Sequence, residues 1–173
     1  MALMSTSRRE AERSGYPTFL YFLVPLAAVG IESFASLHFP RMASLDLPLL
    51  VTIYFALMLR SPIAGTFTGA IIGILQDALT RQPLGTFGIC KAIIGYLAAS
   101  LGVQIDTENP GARLLICFGF TLAHNGIYWL VVRHLLAQPF HWNWVHELVR
   151  ALIDGVIGVV LFGLLDLAKR RDY

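Results

Sequence analysis

The fold of this chain is decided between residues 62 and 105, where two apolar segments read PIAGTFTGAIIGILQDALT (62–80) and TFGICKAIIGYLAASLGVQI (86–105). Each segment is close to the roughly 20 residues that a helix needs to cross the hydrocarbon core of a bilayer. Ser61 and Pro62 are typical of an N-cap followed by a first helical position. The intervening RQPLG sequence (81–85) is typical of a turn. We therefore predict two successive membrane-spanning helices joined by a short turn.

Both segments carry small residues at helical spacing. In the first segment the small residues recur every four positions and end at Asp77, and in the second they alternate in steps of three and four. Small residues let membrane helices approach closely, because lipid offers no hydrophobic drive for helix association. We expect these two faces to pack against each other; the alternative is an interface with a partner or a second copy. The main positions are Gly65, Gly69, Gly73, Gly88, Ala92 and Gly95.

Composition extends this interpretation to the whole chain of 173 residues. Hydrophobic residues make up 56%, charged residues 14%, and the mean hydropathy is +0.65. Soluble domains carry about 25% charged residues, so this chain has too few to cover a surface that faces water. We predict one all-α integral membrane domain of about six spans, with a polar segment at 1–18 and a basic tail at 169–173. The spans are 19–39, 47–59, 62–80, 86–105, 112–137 and 147–168.

The second predicted span is short. Its 13 residues, 47–59, cover about 20 Å of a hydrocarbon core that is roughly 30 Å thick. Either the helix begins earlier, near Met42, or it lies shielded from lipid inside the bundle.

The distribution of Lys and Arg predicts the orientation of the spans. With six spans, one side holds eight of these residues, in the termini and in the turns after spans two and four. The opposite side holds three, Arg41, Arg81 and Arg133. Because basic residues are enriched in cytoplasmic connections, we expect both termini in the cytoplasm. The aromatic residues Phe140, Trp142 and Trp144 then suit the outer membrane interface.

Eight polar or charged residues fall inside the predicted spans. Charged side chains at bilayer depth are costly, so they usually face the bundle interior and pair with one another. Arg150 and Asp154 stand four residues apart and can pair along one helix face. With the predicted orientation the cluster gathers in the outer half of the bundle. Its members are Glu32, Gln76, Asp77, Lys91, His124, Asn125, Arg150 and Asp154.

Three interpretations of this cluster stay open. It can be a structural network that sets the register of the helices, a pocket open to the outer face that binds a ligand or a peptide, or a path for protons or ions. A path would need polar groups through the whole bilayer, whereas the inner half of the spans is apolar. The network and the pocket are therefore the leading alternatives.

Nothing in the sequence indicates catalysis, a metal site or a cofactor. His146-Glu147 lacks a second histidine four residues on, so the zinc-protease helix pattern is absent. The sequence has no nucleophile elbow, phosphate-binding loop, Cys-x-x-Cys pair or basic patch for nucleic acid. Cys90 and Cys117 lie in apolar runs, where we expect small buried side chains. We expect a protein that is not an enzyme.

The segment from Gly65 to Leu79, which ends in Gln76-Asp77, together with the following Pro83-Leu84-Gly85, resembles the signature stretch of the rod shape-determining protein MreD family. In that family a glycine-rich helix ends in Gln-Asp, and a turn with Leu-Gly leads to a helix containing Gly-Tyr-Leu-Ala, here residues 95–98. The resemblance rests on residues 62–102; the other spans match in hydropathy. Lys91 and Arg150 have no assigned place in the family pattern.

The resemblance implies a scaffold of the bacterial inner membrane that takes part in cell elongation and rod-shape maintenance. Its main partner would be MreC, a single-span protein, within a complex that includes MreB filaments, RodA and a class B penicillin-binding protein. A homodimer within the lipid bilayer is a further expectation. The family is also similar in fold to the S components of energy-coupling-factor transporters. The alternative function is therefore binding of a small vitamin-like substrate in an outward-facing pocket.

Overall fold

Six α-helices make up nearly all of the part of the chain that the computed structural model describes, which comprises residues 19–38, 45–80, 82–105, 109–138 and 142–168. These residues contain no β-strand. The all-α prediction is confirmed. The helices are α1 (Leu20–His38), α2 (Leu47–Leu59), α3 (Pro62–Thr80), α4 (Thr86–Leu101), α5 (Pro110–Leu130) and α6 (Trp144–Ala168), and a π-helical segment, Val131–Leu135, extends α5.

Three of these helices are long and apolar enough to cross a membrane: α3, α5 with its π-helical extension, and α6. The apolar stretches of α1, α2 and α4 are shorter. Large apolar side chains point away from the bundle, and Phe22, Phe67 and Leu164 are 60% or more exposed. Soluble monomers rarely expose extended apolar patches, so these outer faces suit a lipid environment.

Helix α2 lies in the centre of the bundle. Every residue from Pro48 to Leu57 is buried, which is the pattern of a helix that is apolar all round. Asp46 caps its N-terminus by accepting a hydrogen bond from the backbone N–H of Leu49 at 2.8 Å. Of the two explanations for the short second segment, the structure shows the enclosed helix. Met42, the alternative starting point, lies outside the described residues.

Helices α3 and α4 form the most extensive helix–helix contact of the described bundle. A Cβ atom on Gly69 would overlap the carbonyl oxygen of Lys91, and one on Gly73 would overlap that of Phe87. Gly65 and Gly95 face each other in the same way, each against the other's backbone. Gly88 packs against Ile74, and Ala92 is half-buried. The small residues therefore pack α3 against α4 within one molecule.

Several helix boundaries differ from the predicted spans because of local capping. α4 ends at Leu101, and Gly102 packs against the backbone of Leu57. α5 begins at Pro110, since the Asn109 side chain accepts a hydrogen bond from the N–H of Gly111. α6 begins three residues earlier than predicted, at Trp144. The Asn143 side chain caps it by accepting from the N–H groups of Val145 and His146.

The end of α5 also departs from the predicted continuous helix to residue 137. The N–H of Leu136 donates to the carbonyl of Val131 at 3.1 Å, a five-residue spacing, which widens the last turn into a π-helix. Ala137 then adopts a left-handed conformation with φ 49°, and the helix stops.

Some predictions fall outside the described residues. These are the polar segment 1–18, the tail 169–173, the basic residues Arg41 and Arg81, and Phe140 of the aromatic group.

Candidate functional site

A polar cavity of about 250 Å³ lies at the end of the bundle where α1, α3 and α5 finish and α2, α4 and α6 begin. We call this the cavity end. Four of the eight polar residues predicted to cluster line the cavity, and three more, Gln76, Asp77 and Lys91, are hydrogen-bonded to residues that line it. The lining residues are Glu32, Asp46, Phe87, His124, Asn125, Tyr128, Glu147 and Arg150.

Lys91 and Asp46 form a buried ion pair between α4 and the start of α2. The Lys91 Nζ lies 2.9 Å from Asp46 Oδ1 and 2.8 Å from Oδ2, and both side chains are at most 1% exposed. The ammonium also lies 5.0 Å from the centre of the Phe87 ring, a distance that allows a cation–π contact. The buried lysine thus has a carboxylate partner, Asp46, that lies outside the predicted polar cluster.

Asp77 uses its charge differently. Its Oδ1 accepts from the backbone N–H of Phe87 at 3.0 Å, and its Oδ2 accepts from those of Gly85 at 2.9 Å and Gly88 at 3.3 Å. The carboxylate therefore caps the N-terminus of α4 from the end of α3. A negative charge is favourable there because unpaired N–H groups and the helix dipole converge on it. No basic group of a described residue lies within 4 Å of Asp77, so its carboxylate is satisfied by backbone N–H groups and not by a cation.

Gln76, next to Asp77, connects α3 to α1. Its Nε2 donates to Glu32 Oε1 at 2.9 Å. Gln76 is 1% exposed and Glu32 is half-buried. The second oxygen of each group, Gln76 Oε1 and Glu32 Oε2, has no hydrogen-bond partner among the described residues.

His124 and Asn125 form the start of a polar chain from α5 to α6. Asn125 Nδ2 donates to Glu147 Oε2 at 2.7 Å, and Asn125 Oδ1 lies 3.4 Å from His124 Nδ1. Asp46 Oδ2 lies 3.9 Å from the same histidine nitrogen. This chain places His124 between the Lys91–Asp46 pair and Glu147.

Arg150 and Asp154, whose helical spacing allows a pair, do not form an ion pair. No nitrogen of Arg150 lies within 4 Å of an Asp154 oxygen, although the two residues stand one turn apart on α6. Arg150 lines the cavity, whereas Asp154 is fully buried in the bundle. Helical spacing allows such a contact, but the long arginine side chain extends into the open space instead. Neither Asp154 oxygen has a hydrogen bond of ordinary geometry within the described part of the chain.

A second polar network lies at the opposite end of the bundle. Asp166 of α6 forms an ion pair with Arg113 of α5 and accepts a hydrogen bond from the Tyr54 hydroxyl at 2.7 Å. The Arg113 guanidinium also lies 6.0 Å from the Phe162 ring centre. This network joins α2, α5 and α6, and it was not anticipated from the sequence.

Aromatic side chains surround the link between α5 and α6. The rings of Trp129 and Trp142 lie 6.2 Å apart and those of Trp142 and Trp144 lie 5.3 Å apart. Arg133 lies 5.3 Å from the Trp129 ring, and Trp144 is 71% exposed. Tryptophans are enriched at the interface between membrane and water, so a position of the cavity end at this interface agrees with its aromatic residues.

Four residues of the cavity wall lie outside the predicted polar cluster: Asp46, Glu147, Phe87 and Tyr128. A signal existed for Asp46, because an acidic residue followed by Leu47-Pro48 is an N-cap pattern. Glu147 was included in the sixth span but was not assigned to the cluster. Phe87 and Tyr128 carried no such signal, since aromatic residues occur throughout apolar helices. Cys90 and Cys117 are both fully buried, as expected.

The described residues include no group of three His, Cys, Asp or Glu side chains arranged to hold a metal ion. Comparisons with protein-family models, with curated proteins and with solved structures gave no match to this chain.

Proposed function

We propose that this chain is a non-enzymatic scaffold of the bacterial inner membrane, of the MreD type, that binds MreC and helps to connect MreB filaments to peptidoglycan synthesis. RodA and a class B penicillin-binding protein would belong to the same complex. In this proposal all six helices span the bilayer and both termini lie in the cytoplasm. The enclosed position of α2 supports the six spans, because a short helix surrounded by protein has little contact with lipid.

The observation that carries the proposal is the structure of residues 62–102, the stretch that resembles MreD. The glycine ridge of α3 packs on the backbone of α4, and Asp77 caps α4 across the turn. The residues that carry the resemblance therefore act together in one helix pair. Their part is structural, which suits a scaffold that presents its other faces to a partner.

Co-purification with MreC tests the proposal. The tagged chain and MreC are expressed together, extracted in a mild detergent and isolated through the tag. We expect a stable complex. Recovery of the tagged chain alone, with both proteins present in the membrane, would contradict it.

Four helix glycines offer a way to locate the partner surface. A Cβ on Gly30, Gly119, Gly126 or Gly163 would meet no described atom within 4 Å, so each position has open space beside the helix in the isolated bundle. Leucine at each position in turn is expected to leave the fold intact and to weaken MreC binding on one helix face. Alanine at the same position serves as the matched control.

A second candidate function is that of an S component, which binds a small substrate for an energy-coupling-factor transporter. The polar cavity favours it, because a scaffold has no evident need for such a space. Native mass spectrometry of the protein released from its membrane tests it by detecting a retained small molecule. Co-purification of energy-coupling subunits in place of MreC would favour this function over the scaffold.

A further inference from the structure

The polar cavity contains hydrogen-bonding atoms that the protein leaves unmatched. Among its lining residues these are Glu32 Oε2, His124 Nε2 and Arg150 Nε. His124 is 1% exposed and lines the cavity. Buried polar atoms are nearly always hydrogen-bonded, so an unmatched histidine nitrogen at a cavity wall indicates an occupant.

The neighbours of His124 show which kind of atom it offers. Its Nδ1 faces two oxygen acceptors, Asn125 Oδ1 at 3.4 Å and Asp46 Oδ2 at 3.9 Å. The Asn125 amide is oriented by its donation to Glu147. These oxygens favour a hydrogen on Nδ1, and the neutral ring then presents Nε2 as an acceptor. Two of the three unmatched atoms, Glu32 Oε2 and His124 Nε2, are therefore acceptors. They favour an occupant with several hydrogen-bond donors.

The ionisable groups of the cavity wall also favour a positively charged occupant. Lys91 neutralises Asp46 through a two-oxygen ion pair. Apart from that pair and His124, the ionisable groups of the wall are two carboxyl groups, Glu32 and Glu147, and one guanidinium, Arg150. The wall thus offers two carboxyl groups against one basic group, and an occupant with one positive charge suits this excess of acceptors.

The dimensions select a small organic ion. A volume of about 250 Å³ lies just below the roughly 300–1,000 Å³ of ordinary small-molecule pockets. The walls include Phe87 and Tyr128, whose rings stack at 5.1 Å, and aromatic faces attract organic cations. The described carboxylates and histidine are not grouped closely enough to hold a metal ion.

We propose that the polar cavity binds a small organic cation through a primary ammonium group, with Glu32, Glu147 and His124 Nε2 as acceptors. The site is independent of the scaffold function, and it deepens the second candidate by naming the class of its ligand. Its failure would leave MreC binding untouched, so the two tests are separate. The ammonium can belong to a free amine or to the headgroup of phosphatidylethanolamine.

Calorimetry with ethanolamine tests the proposal. The full chain is placed in nanodiscs of phosphatidylglycerol, which carry no amine, and titrated with ethanolamine, with ethylene glycol and with sodium chloride. Ethanolamine and ethylene glycol differ by one ammonium in place of a hydroxyl. We expect saturable binding of ethanolamine alone. Absence of its binding, equal binding of ethylene glycol, or full displacement by an equal concentration of sodium would overturn the proposal.

Two variants make the assignment specific to the cavity. Glu32→Gln keeps an acceptor for Gln76 and removes the charge, and we expect ethanolamine affinity to fall about tenfold or more. Asp166→Asn removes the same charge at the opposite end of the bundle, and we expect no change in affinity. Equal affinities of both variants and the wild type would overturn the proposal. Glu147→Gln replaces Glu32→Gln if the latter fails to fold.

A further arm separates the two sources of the ammonium. Nanodiscs that contain phosphatidylethanolamine are titrated with ethanolamine under the same conditions. Weaker apparent binding than in phosphatidylglycerol identifies the lipid headgroup as an occupant, and unchanged binding identifies a free amine. Both results are consistent with binding of an ammonium group in the cavity. The titration in phosphatidylglycerol nanodiscs tests whether that binding occurs.

Discussion

At the scale of the residue, two buried charges that look alike in the sequence are stabilised by different means. Lys91 is neutralised by a carboxylate from another helix, whereas Asp77 is held by three backbone N–H groups of the next helix. The contact of Lys91 with Asp46 depends on charge, whereas the contacts of Asp77 depend mainly on its oxygen atoms as hydrogen-bond acceptors. Substitutions that remove only the charge should therefore affect Lys91 and Asp77 differently.

Replacement of Asp77 should lower stability according to the acceptors that remain. Asp77→Leu leaves three N–H groups at the start of α4 without their partner, at a cost of roughly 1–3 kcal/mol for each buried donor. Asp77→Asn keeps one carbonyl oxygen and should cost less. Thermal unfolding of both purified variants in detergent measures the difference. An Asp77→Leu protein as stable as the wild type would show that the cap is dispensable.

Replacement of Lys91 should be harmful mainly because it isolates Asp46. Lys91→Met leaves a carboxylate that is 1% exposed without its counter-charge, which costs about 3–5 kcal/mol. Asp46→Asn in the same chain removes that charge and keeps an N-cap for α2. We expect the double variant to recover part of the loss in a double-mutant cycle. Strictly additive losses would show that the two groups do not interact.

At the scale of the element, the α3–α4 pair depends on backbone approach. Glycines of one helix lie directly on carbonyl groups of the other, so their role comes from the absence of a side chain. Other helix glycines, such as Gly163 of α6, have no described neighbour within 4 Å of a Cβ position. Glycine thus allows close packing of α3 on α4, whereas in α6 Gly163 lies beside open space.

A matched pair of alanine substitutions tests this contrast. Gly69→Ala places a methyl group against the Lys91 carbonyl and should destabilise the protein by about 1–3 kcal/mol through overpacking. Gly163→Ala meets open space and should stabilise it by roughly 0.5–1 kcal/mol through helix propensity. Denaturant unfolding in detergent compares the two variants. Equal effects would mean that α3 and α4 do not pack as described.

At the scale of the whole molecule, polar networks lie at both ends of an apolar bundle. The Lys91–Asp46 pair and the polar cavity occupy the cavity end, and the Arg113–Asp166–Tyr54 network occupies the other. Between them α2 is enclosed by apolar side chains. With six spans, the orientation of the bundle decides which network faces the cytoplasm.

Cysteine labelling in spheroplasts tests the proposed orientation. Both native cysteines are fully buried, so the wild-type chain should not react with a membrane-impermeant maleimide. His146→Cys lies on an exposed position near the cavity end and should react in intact spheroplasts. Ser5→Cys in the N-terminal segment should react only after permeabilisation. The opposite labelling pattern would show that the bundle has the reverse orientation in the membrane.

Local patterns in the sequence predicted the helical class, the course of α2 and α3, and the presence of a polar cluster. Hydropathy and small-residue spacing are properties of neighbouring positions, and they need no knowledge of the fold. The predicted starts of α5 and α6 were displaced because Asn109 and Asn143 act as caps that the apolar pattern did not include. Arg150 and Asp154 do not form an ion pair, because helical spacing permits a contact without requiring it.

The sequence by itself determined that this chain is an apolar helical protein with a close helix pair at 62–101 and a few costly buried charges. Only the tertiary structure decided how those charges are satisfied. Lys91 and Asp46 stand 45 positions apart, and Asn125 and Glu147 stand 22 apart. Such contacts depend on the rotation and depth of each helix within the bundle. Packing among all six helices sets both, and no single segment encodes them.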